Sequence, residues 1–355
     1  MVQPNLARVS AVGAASSIVL PEPDPSSQMS SMSSLSAGGL SAGLGGNGGG
    51  GGRGDGQGPG IGGGLAPGLS DGTGAKNPFG MASVGQGALV GSFYDLKQTN
   101  SRQPTGMTDD GFREELKQIT KRGFKESAFR KYYKAPRELF QTKLHIPIID
   151  ADAAPTAFEC EKEVQPKRWI VVYRGSVQAP LTGKFRFVGA ADDVLCVRFN
   201  NRDVFDYGYT MATTGKNIIG KSDELADPKN KSDLAREIRR DSPMPIPITY
   251  YKYSSGGQTN RNIGGMAVGP EFEVEAGKAY PVEILVSEIP GGHFSVSLLI
   301  EQIGATYQKD PAGFPILPLF RLDNTPPARV RGDAPPFDPN GPVWKSAADV
   351  LKKDI

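Results

Sequence analysis

Alternation of apolar and polar positions is densest between Trp169 and Tyr209, where WIVVYRGSVQAPLTGKFRFVGAADDVLCVRFNNRDVFDYGY predicts several short antiparallel strands. Ile170, Val172, Phe185, Phe187, Val194, Cys196, Val204 and Phe205 supply β-branched, aromatic or small apolar side chains, and Gly175, Pro180, Gly183, Asn200 and Asn201 punctuate them as turns. The expected product is a half-buried sheet with loops at its rim. Upstream, LVGSFYDLKQT from Leu89 alternates as a strand, and Thr108 can cap a helix carrying Phe112, Leu116 and Ile119 on one face. Lys125 to Tyr133 reads as a second helix presenting Phe129, Tyr132 and Tyr133, ending before Ala135-Pro136 because a residue preceding proline is pushed out of helical geometry.

Strand patterns dominate from Leu144 to Ile303, apart from a charged helical insertion at Asp223 to Arg240 that Pro228 breaks. EFEVEAGKAYPVEILVSE turns at Ala276-Gly277 and continues through Pro290-Gly291-Gly292 into HFSVSLLIEQI, a meander that closes a sheet. Beyond Tyr307 the chain becomes proline-rich and extended, with a short terminal helix expected at Val343 to Lys353.

Composition changes this picture at the ends. Most of the chain's 46 glycines and 29 prolines lie outside the strand region, and residues 23 to 90 carry too little apolar surface to offset the entropy of ordering them. The organisation expected is therefore a disordered Gly/Ser-rich leader or tether at 1–88, one antiparallel β-sandwich at 89–322 with helical insertions near 108–134 and 223–240, and a proline-rich extension at 323–355. The fold class is all-β with helical insertions. A formal charge of +2, from 40 basic and 38 acidic residues, provides no global field for nucleic acid or an anionic membrane, so partners are recognised locally. Two cysteines, Cys160 and Cys196, exclude a dense disulfide framework and leave open whether they pair. No apolar run of about 18 residues is present, so membrane contact would need a segment absent from this chain.

Several short motifs invite chemistry that their context does not support. Gly215 to Ser222 satisfies the phosphate-loop pattern, but it lacks the buried parallel strand and continuous helix that such a loop needs, so nucleotide binding is not expected. Asp150, Asp152 and Glu161 fit a calcium-loop pattern, yet Pro155 stands where that loop requires glycine. Arg53 to Asp55 and Arg331 to Asp333 are Arg-Gly-Asp triplets in compositionally biased segments. His145 and His293 have no close Cys or His neighbours for zinc. Glu273, Glu275, Glu283 and Glu288 lie on or beside strands, and a hydrolytic pair would require two of them to face each other across a cleft. Trp169, Tyr173, Tyr207, Tyr209, Tyr250, Tyr251 and Tyr253 could stack on sugars or pack in a core.

GSFYDLKQ from Gly91, the block from Trp169 to Asp206, and VEAGKAYPVEILVSEIPGGHFSVSLLIEQ occur in that order, and together they resemble the protective-antigen-type β-sandwich found in bacterial adhesins, in fungal flocculins and appended to some glycosidases. The resemblance covers about half of the strand region. It implies a non-catalytic binding module of a bacterial cell envelope or surface protein, with a glycan or an envelope protein as partner and an envelope or extracellular location. It also implies calcium held at Asp192 and Asp193, often across a cis peptide, where the ion would meet vicinal sugar hydroxyls. Asn200 and Asn201 are candidate further metal ligands, and Tyr207, Tyr209, Asn260 and Asn262 are candidate ligand contacts. The alternatives are a structural subunit of an envelope assembly, favoured by an exposed apolar face on Phe112 to Tyr133, or an accessory domain of a carbohydrate-active enzyme.

Overall fold

Trp169 to Gln178 is buried at odd and even positions alike, with only Arg174 and Gln178 partly exposed. Because successive strand residues point to opposite faces, this strand must be covered on both sides. The computed structural model describes residues 77–82, 87–210, 229, 231–241, 249–254, 265–327 and 335–347. Its strands are β1 (Leu89–Thr99), β2 (Tyr132–Gln141), β3 (His145–Asp150), β4 (Trp169–Gln178), β5 (Gly183–Asp192), β6 (Val194–Phe199) and β7 (Arg202–Tyr207), followed by β8 (Thr249–Tyr251), β9 (Met266–Val268), β10 (Phe272–Val274), β11 (Ala279–Glu288), β12 (His293–Gln302) and β13 (Lys345–Ser346). The helices are α1 (Asp109–Lys121), α2 (Ala153–Ala157) and α3 (Asp233–Asp241). None is long and apolar enough to cross a membrane.

Two antiparallel sheets stack as a sandwich, which is the fold class the sequence predicts. One has the order β2-β1-β4-β11-β6-β7, with β13 continuing beside β4; the other has the order β3-β12-β5-β9-β8, with β10 beside β5. Trp169, Val171, Tyr173, Leu195, Val197, Ile284 and Val286 of the first sheet meet Phe185, Phe187, Leu298 and Ile300 of the second in the main core. The opposite face of the first sheet, with Ile170, Val172, Val194, Cys196 and Leu285, is roofed by Phe112, Leu116, Ile119, Phe124 and Phe129. Cys160 and Cys196 are both free and buried.

A charge ladder crosses four strands beneath that roof. Arg174 on β4, Glu283 on β11, Arg198 on β6 and Asp203 on β7 alternate in sign, at 3.8, 3.8 and 3.3 Å between successive partners. Arg174 also donates to the Phe124 carbonyl, and the two guanidinium groups lie over the rings of Phe129 and Phe124. The ladder thus ties the roof to the sheet while keeping its own charges paired.

The helix expected at Asp109 forms, and the Thr108 hydroxyl accepts the Gly111 N–H at 3.1 Å as its cap. The second expected helix does not. Residues 126–128 make a single 3-10 turn, and Tyr132 to Gln141 is a strand that passes through Pro136. Proline is tolerated there because β2 is an edge strand whose outer edge has no strand partner at that residue among the described residues. The expected closing meander is also different: β10 pairs with β5, β11 with β4 and β6, and β12 with β3 and β5, so consecutive strands change sheets. Residues 233–241 of the charged insertion are helical, whereas the phosphate-loop match at 215–222 and both Arg-Gly-Asp triplets lie outside the described residues.

Segments on either side of the strand region enter the core. Phe79 is fully buried, stacks on Phe294 at 5.6 Å and meets Trp169 at 6.2 Å; the Tyr173 hydroxyl donates to its carbonyl at 2.9 Å. Leu317, Leu319 and Phe320 are buried, and Ile300 donates to the Pro318 carbonyl at 3.0 Å, so this stretch runs as a further rung beside β12. Trp344 is fully buried against Phe185, Phe320 and Phe199, with centroids 5.4, 5.5 and 5.9 Å away. Lys345–Ser346 is strand rather than the start of a terminal helix. Phe79→Ala and Trp344→Ala should each cost roughly 3–5 kcal/mol, the range for emptying an aromatic core site, in urea unfolding of the full chain. A fragment limited to 89–322 lacks both side chains and should show no cooperative melt, whereas 77–347 should melt like the full chain.

Candidate functional site

At one rim the chain passes twice between the sheets: β5 of the second sheet hands over to β6 of the first at Asp192-Asp193, and β11 of the first hands over to β12 of the second at Glu288 to Gly292. The two crossovers meet, and carboxylate oxygens of Asp192, Asp193 and Glu288 lie within 4.8 Å of one another. The Asp192-Asp193 peptide is cis. Gly208, at φ +81°, allows the end of β7 to lie against this link, since a Cβ there would stand 2.0 Å from the Asp193 carbonyl oxygen.

The hydrogen bonds at the site leave one oxygen unmatched. Ile289 N–H donates to Asp193 Oδ2 at 2.8 Å, and Gly291 N–H donates to Glu288 Oε1 at 2.8 Å. Glu288 is only 1% exposed, yet its Oε2 has no hydrogen-bond partner among the described residues. Asp192 and Asp193 are half-buried, so the site opens on the aspartate side and closes on the glutamate side.

Three acids this close cannot all carry charge without compensation. Burial, followed by the charges of Asp193 and Asp192, pushes the Glu288 carboxyl up to about 11. Burial and then the charge of Asp192 hold Asp193 well above the usual range. Asp192 is also raised by burial, against the pull of a hydrogen bond with Asp193 and of nearby His293. The donor set suits a hard cation, since it is all carboxylate oxygen with a buried oxygen unpaired.

The other expected site residues lie elsewhere. Asn200 and Asn201 form the β6–β7 turn with φ of 50° and 62°. They therefore sit at the far end of β6, about 20 Å of strand away from Asp193. Tyr207 and Tyr209 are each 3% exposed, the first in the main core and the second under the roof, so neither ring can stack on a sugar. Asn260 and Asn262 lie outside the described residues. Trp169, Tyr173, Tyr251 and Tyr253 are buried as well, leaving Tyr250 as the half-buried ring of its cluster. Of the expected acidic candidates, Glu273 pairs with Lys184, Glu275 with Lys278, and Glu283 with the two ladder arginines.

Glu288 is the partner that sequence reasoning missed. It was visible only as one of several strand glutamates, because 95 residues separate it from Asp193 and nothing local signals their meeting. His145 is also buried; it hydrogen-bonds Ser297 at 3.0 Å, and burial lowers its pKa to about 4.

No family model matches the chain, and no curated protein matches it in sequence. Among solved structures it is similar to a PA14 sugar-binding domain from an RTX adhesin, at 12% identity and a TM-score of 0.33 over 63% of this chain and 94% of that one. It is also similar to the Epithelial Adhesin 6 A domain from Candida glabrata in complex with Galb1-3GlcNAc, at 14% identity and a TM-score of 0.30 over 66% and 92%. A third similarity, to the GH31 alpha-xylosidase from Xanthomonas citri, has 10% identity and a TM-score of 0.27 over 61% of this chain and 14% of that one.

Beside the site, Asp206 accepts the Tyr209 N–H at 2.9 Å, the Thr210 N–H at 3.1 Å and the Thr210 hydroxyl. Burial nevertheless pushes its carboxyl up to about 6. The folded state therefore binds this proton more tightly than the unfolded chain does, and the resulting stability is complete below about pH 4 and lost as the pH rises through about 6. Relative to Asp206→Asn, the wild-type chain should lose roughly 3 kcal/mol between pH 4 and pH 7.5 in urea titrations run at each pH.

Proposed function

We propose that this chain is a non-catalytic recognition module that binds a glycan at the rim formed by Asp192, Asp193 and Glu288, with a calcium ion held by those three carboxylates. The observation that carries the reading is the Glu288 Oε2 atom, buried and unpaired among two other carboxylates. Calcium takes six to eight oxygen ligands. Two of the carboxylate oxygens here already accept backbone N–H groups, and the half-exposed aspartates open toward solvent, where vicinal hydroxyls of a sugar can complete the shell. The ion, when bound, supplies a fixed positive centre that neutralises the acids and orients those hydroxyls. Asp193 and Glu288 are in turn aimed by Ile289 and Gly291.

A surface or envelope setting accords with a module that presents such a rim, and the fold resemblance of the sequence blocks points the same way. Catalysis is not part of the proposal, because Glu273, Glu275 and Glu283 are paired with Lys184, Lys278, Arg174 and Arg198 rather than facing one another. The assembly alternative loses its motive, since Phe112, Leu116, Ile119, Phe129, Tyr132 and Tyr133 are all buried within this chain.

Calorimetric titration of the full chain with calcium should give saturable heat, with affinity increasing from pH 6 to pH 8 because binding displaces protons from the raised carboxyls. Asp193→Asn should weaken binding at least tenfold. Glu288→Gln, which resembles the protonated acid, should leave the melting temperature in chelator nearly unchanged and abolish the calcium-induced rise. A glycan array probed with and without chelator should show signal only with calcium. No calcium heat together with no glycan signal would overturn the proposal.

A further inference from the structure

Lys97, near the end of β1, is half-buried and sets its ammonium group in a nest of oxygens. Its Nζ donates to Asp95 Oδ1, to the Gln165 carbonyl at 3.2 Å and to the Lys167 carbonyl. Asp95 has no exposed surface, and its other oxygen accepts Gln98 Nε2 at 2.8 Å. The three protons of the ammonium are thereby matched by one carboxylate and two carbonyls from a single loop.

That loop has no strand pairing of its own between Glu163 and Lys167; side chains from β1 and its exit secure it. Gln98 Nε2 donates to the Glu163 carbonyl at 2.6 Å, and Arg102 meets the Glu163 carboxylate at 2.6 Å. The loop in turn serves as the bed for the 288–292 crossover. Arg168 N–H donates to the Ile289 carbonyl at 3.2 Å, and Gly291 faces the Pro166 carbonyl so closely that a Cβ would stand 3.2 Å from it. Ile289 then donates its own N–H to Asp193 Oδ2 at 2.8 Å. One residue, Ile289, is therefore fixed through its carbonyl by the loop and orients the aspartate through its N–H.

We propose that Lys97 is a positioning residue for the acid site: its half-buried ammonium gathers the Gln165 and Lys167 carbonyls, and through Arg168 and Ile289 it sets where the Asp193 carboxylate stands. The inference rests on the reading of that site as a cation site. An ion pair with one partner buried is a poor means of stabilisation, since taking the carboxylate out of water offsets much of the attraction. A point charge able to collect two carbonyls from an unpaired loop does what an apolar side chain cannot. Groups outside the ligand shell that orient metal ligands typically control affinity by about 10–100-fold.

The test is a terbium(III) luminescence titration of the full chain, comparing wild type with Lys97→Met, Lys97→Arg and the double variant Asp95→Asn/Lys97→Met. The double variant leaves no uncompensated buried charge, so it carries the test if Lys97→Met alone unfolds. The proposal expects two-state melting of the double variant in chelator, terbium affinity lowered by about 10–100-fold, and more bound water on the ion from lifetimes in H2O and D2O. Lys97→Arg should recover part of the affinity. Equal affinity and equal hydration in wild type and a folded double variant would overturn the role of Lys97 while leaving the cation site intact. Absence of terbium binding by the wild-type chain would overturn the site and, with it, this inference.

Discussion

Everything at the candidate site depends on two chain crossovers sharing one rim. Wherever the chain passes from one sheet to the other it must turn across the gap at the sandwich's end, and here β5→β6 and β11→β12 do so side by side. Those turns carry Asp192-Asp193 and Glu288, so the topology places three acids within 4.8 Å although they are distant in sequence. Burying carboxyl groups together is unfavourable unless they are neutralised, by protons or by a cation. The raised pKa values are the protonated solution to that constraint, and a bound cation is the other. On the proposed reading, a bound cation would displace those protons.

The parts of this arrangement visible in the sequence are those with local signals. β1, the Thr108 cap, the β4 to β7 block and the Asp pair itself are all set by patterns a few residues long. The failures have a common cause, which is that tertiary context decides. Lys125 to Tyr133 has helical spacing, but Tyr132 and Tyr133 find register against Thr99 and Asp95, and the edge position accommodates Pro136. Tyr207 and Tyr209 alternate around a glycine and look like rim residues, yet both sides of the first sheet are covered, so both rings are buried. Asn200 and Asn201 are near the Asp pair in sequence, and one six-residue strand separates them from it in space. Glu288 had no local signal, because only sheet pairing through Trp169 and the crossover to β12 brings it to the rim.

Double cover of the first sheet also explains where the apolar surface of the insertion went. Phe112, Leu116, Ile119, Phe124 and Phe129 occupy the roof and are buried against the first sheet. Polar residues that would otherwise be stranded under a roof are paired across the strands as Arg174-Glu283-Arg198-Asp203. This is the pattern expected of a sheet that must be buried on both faces but not fused with its cover: charges in register fix where the roof sits, and aromatic rings supply the burial. Phe79 and Trp344 apply the same logic at the flanks, filling the core from a stretch whose composition argued against order and from the proline-rich extension.

The burial of the rim tyrosines restricts how a ligand could be distinguished on the proposed reading. Without Tyr207 or Tyr209 to stack on a sugar face, discrimination falls to the cation and to polar groups that surround it. A cation selects by the spacing and orientation of oxygen pairs, which separates vicinal cis from trans hydroxyls but reads little of the remaining ring. Half-buried Tyr250 lies near Asp206, and it is the one ring of its cluster left partly exposed. Affinity for a single sugar at such a site would consequently be modest, because oxygen ligands exchange against water and little apolar area is buried. Tight attachment would then have to come from several modules acting together, where effective concentration rather than contact area supplies the strength.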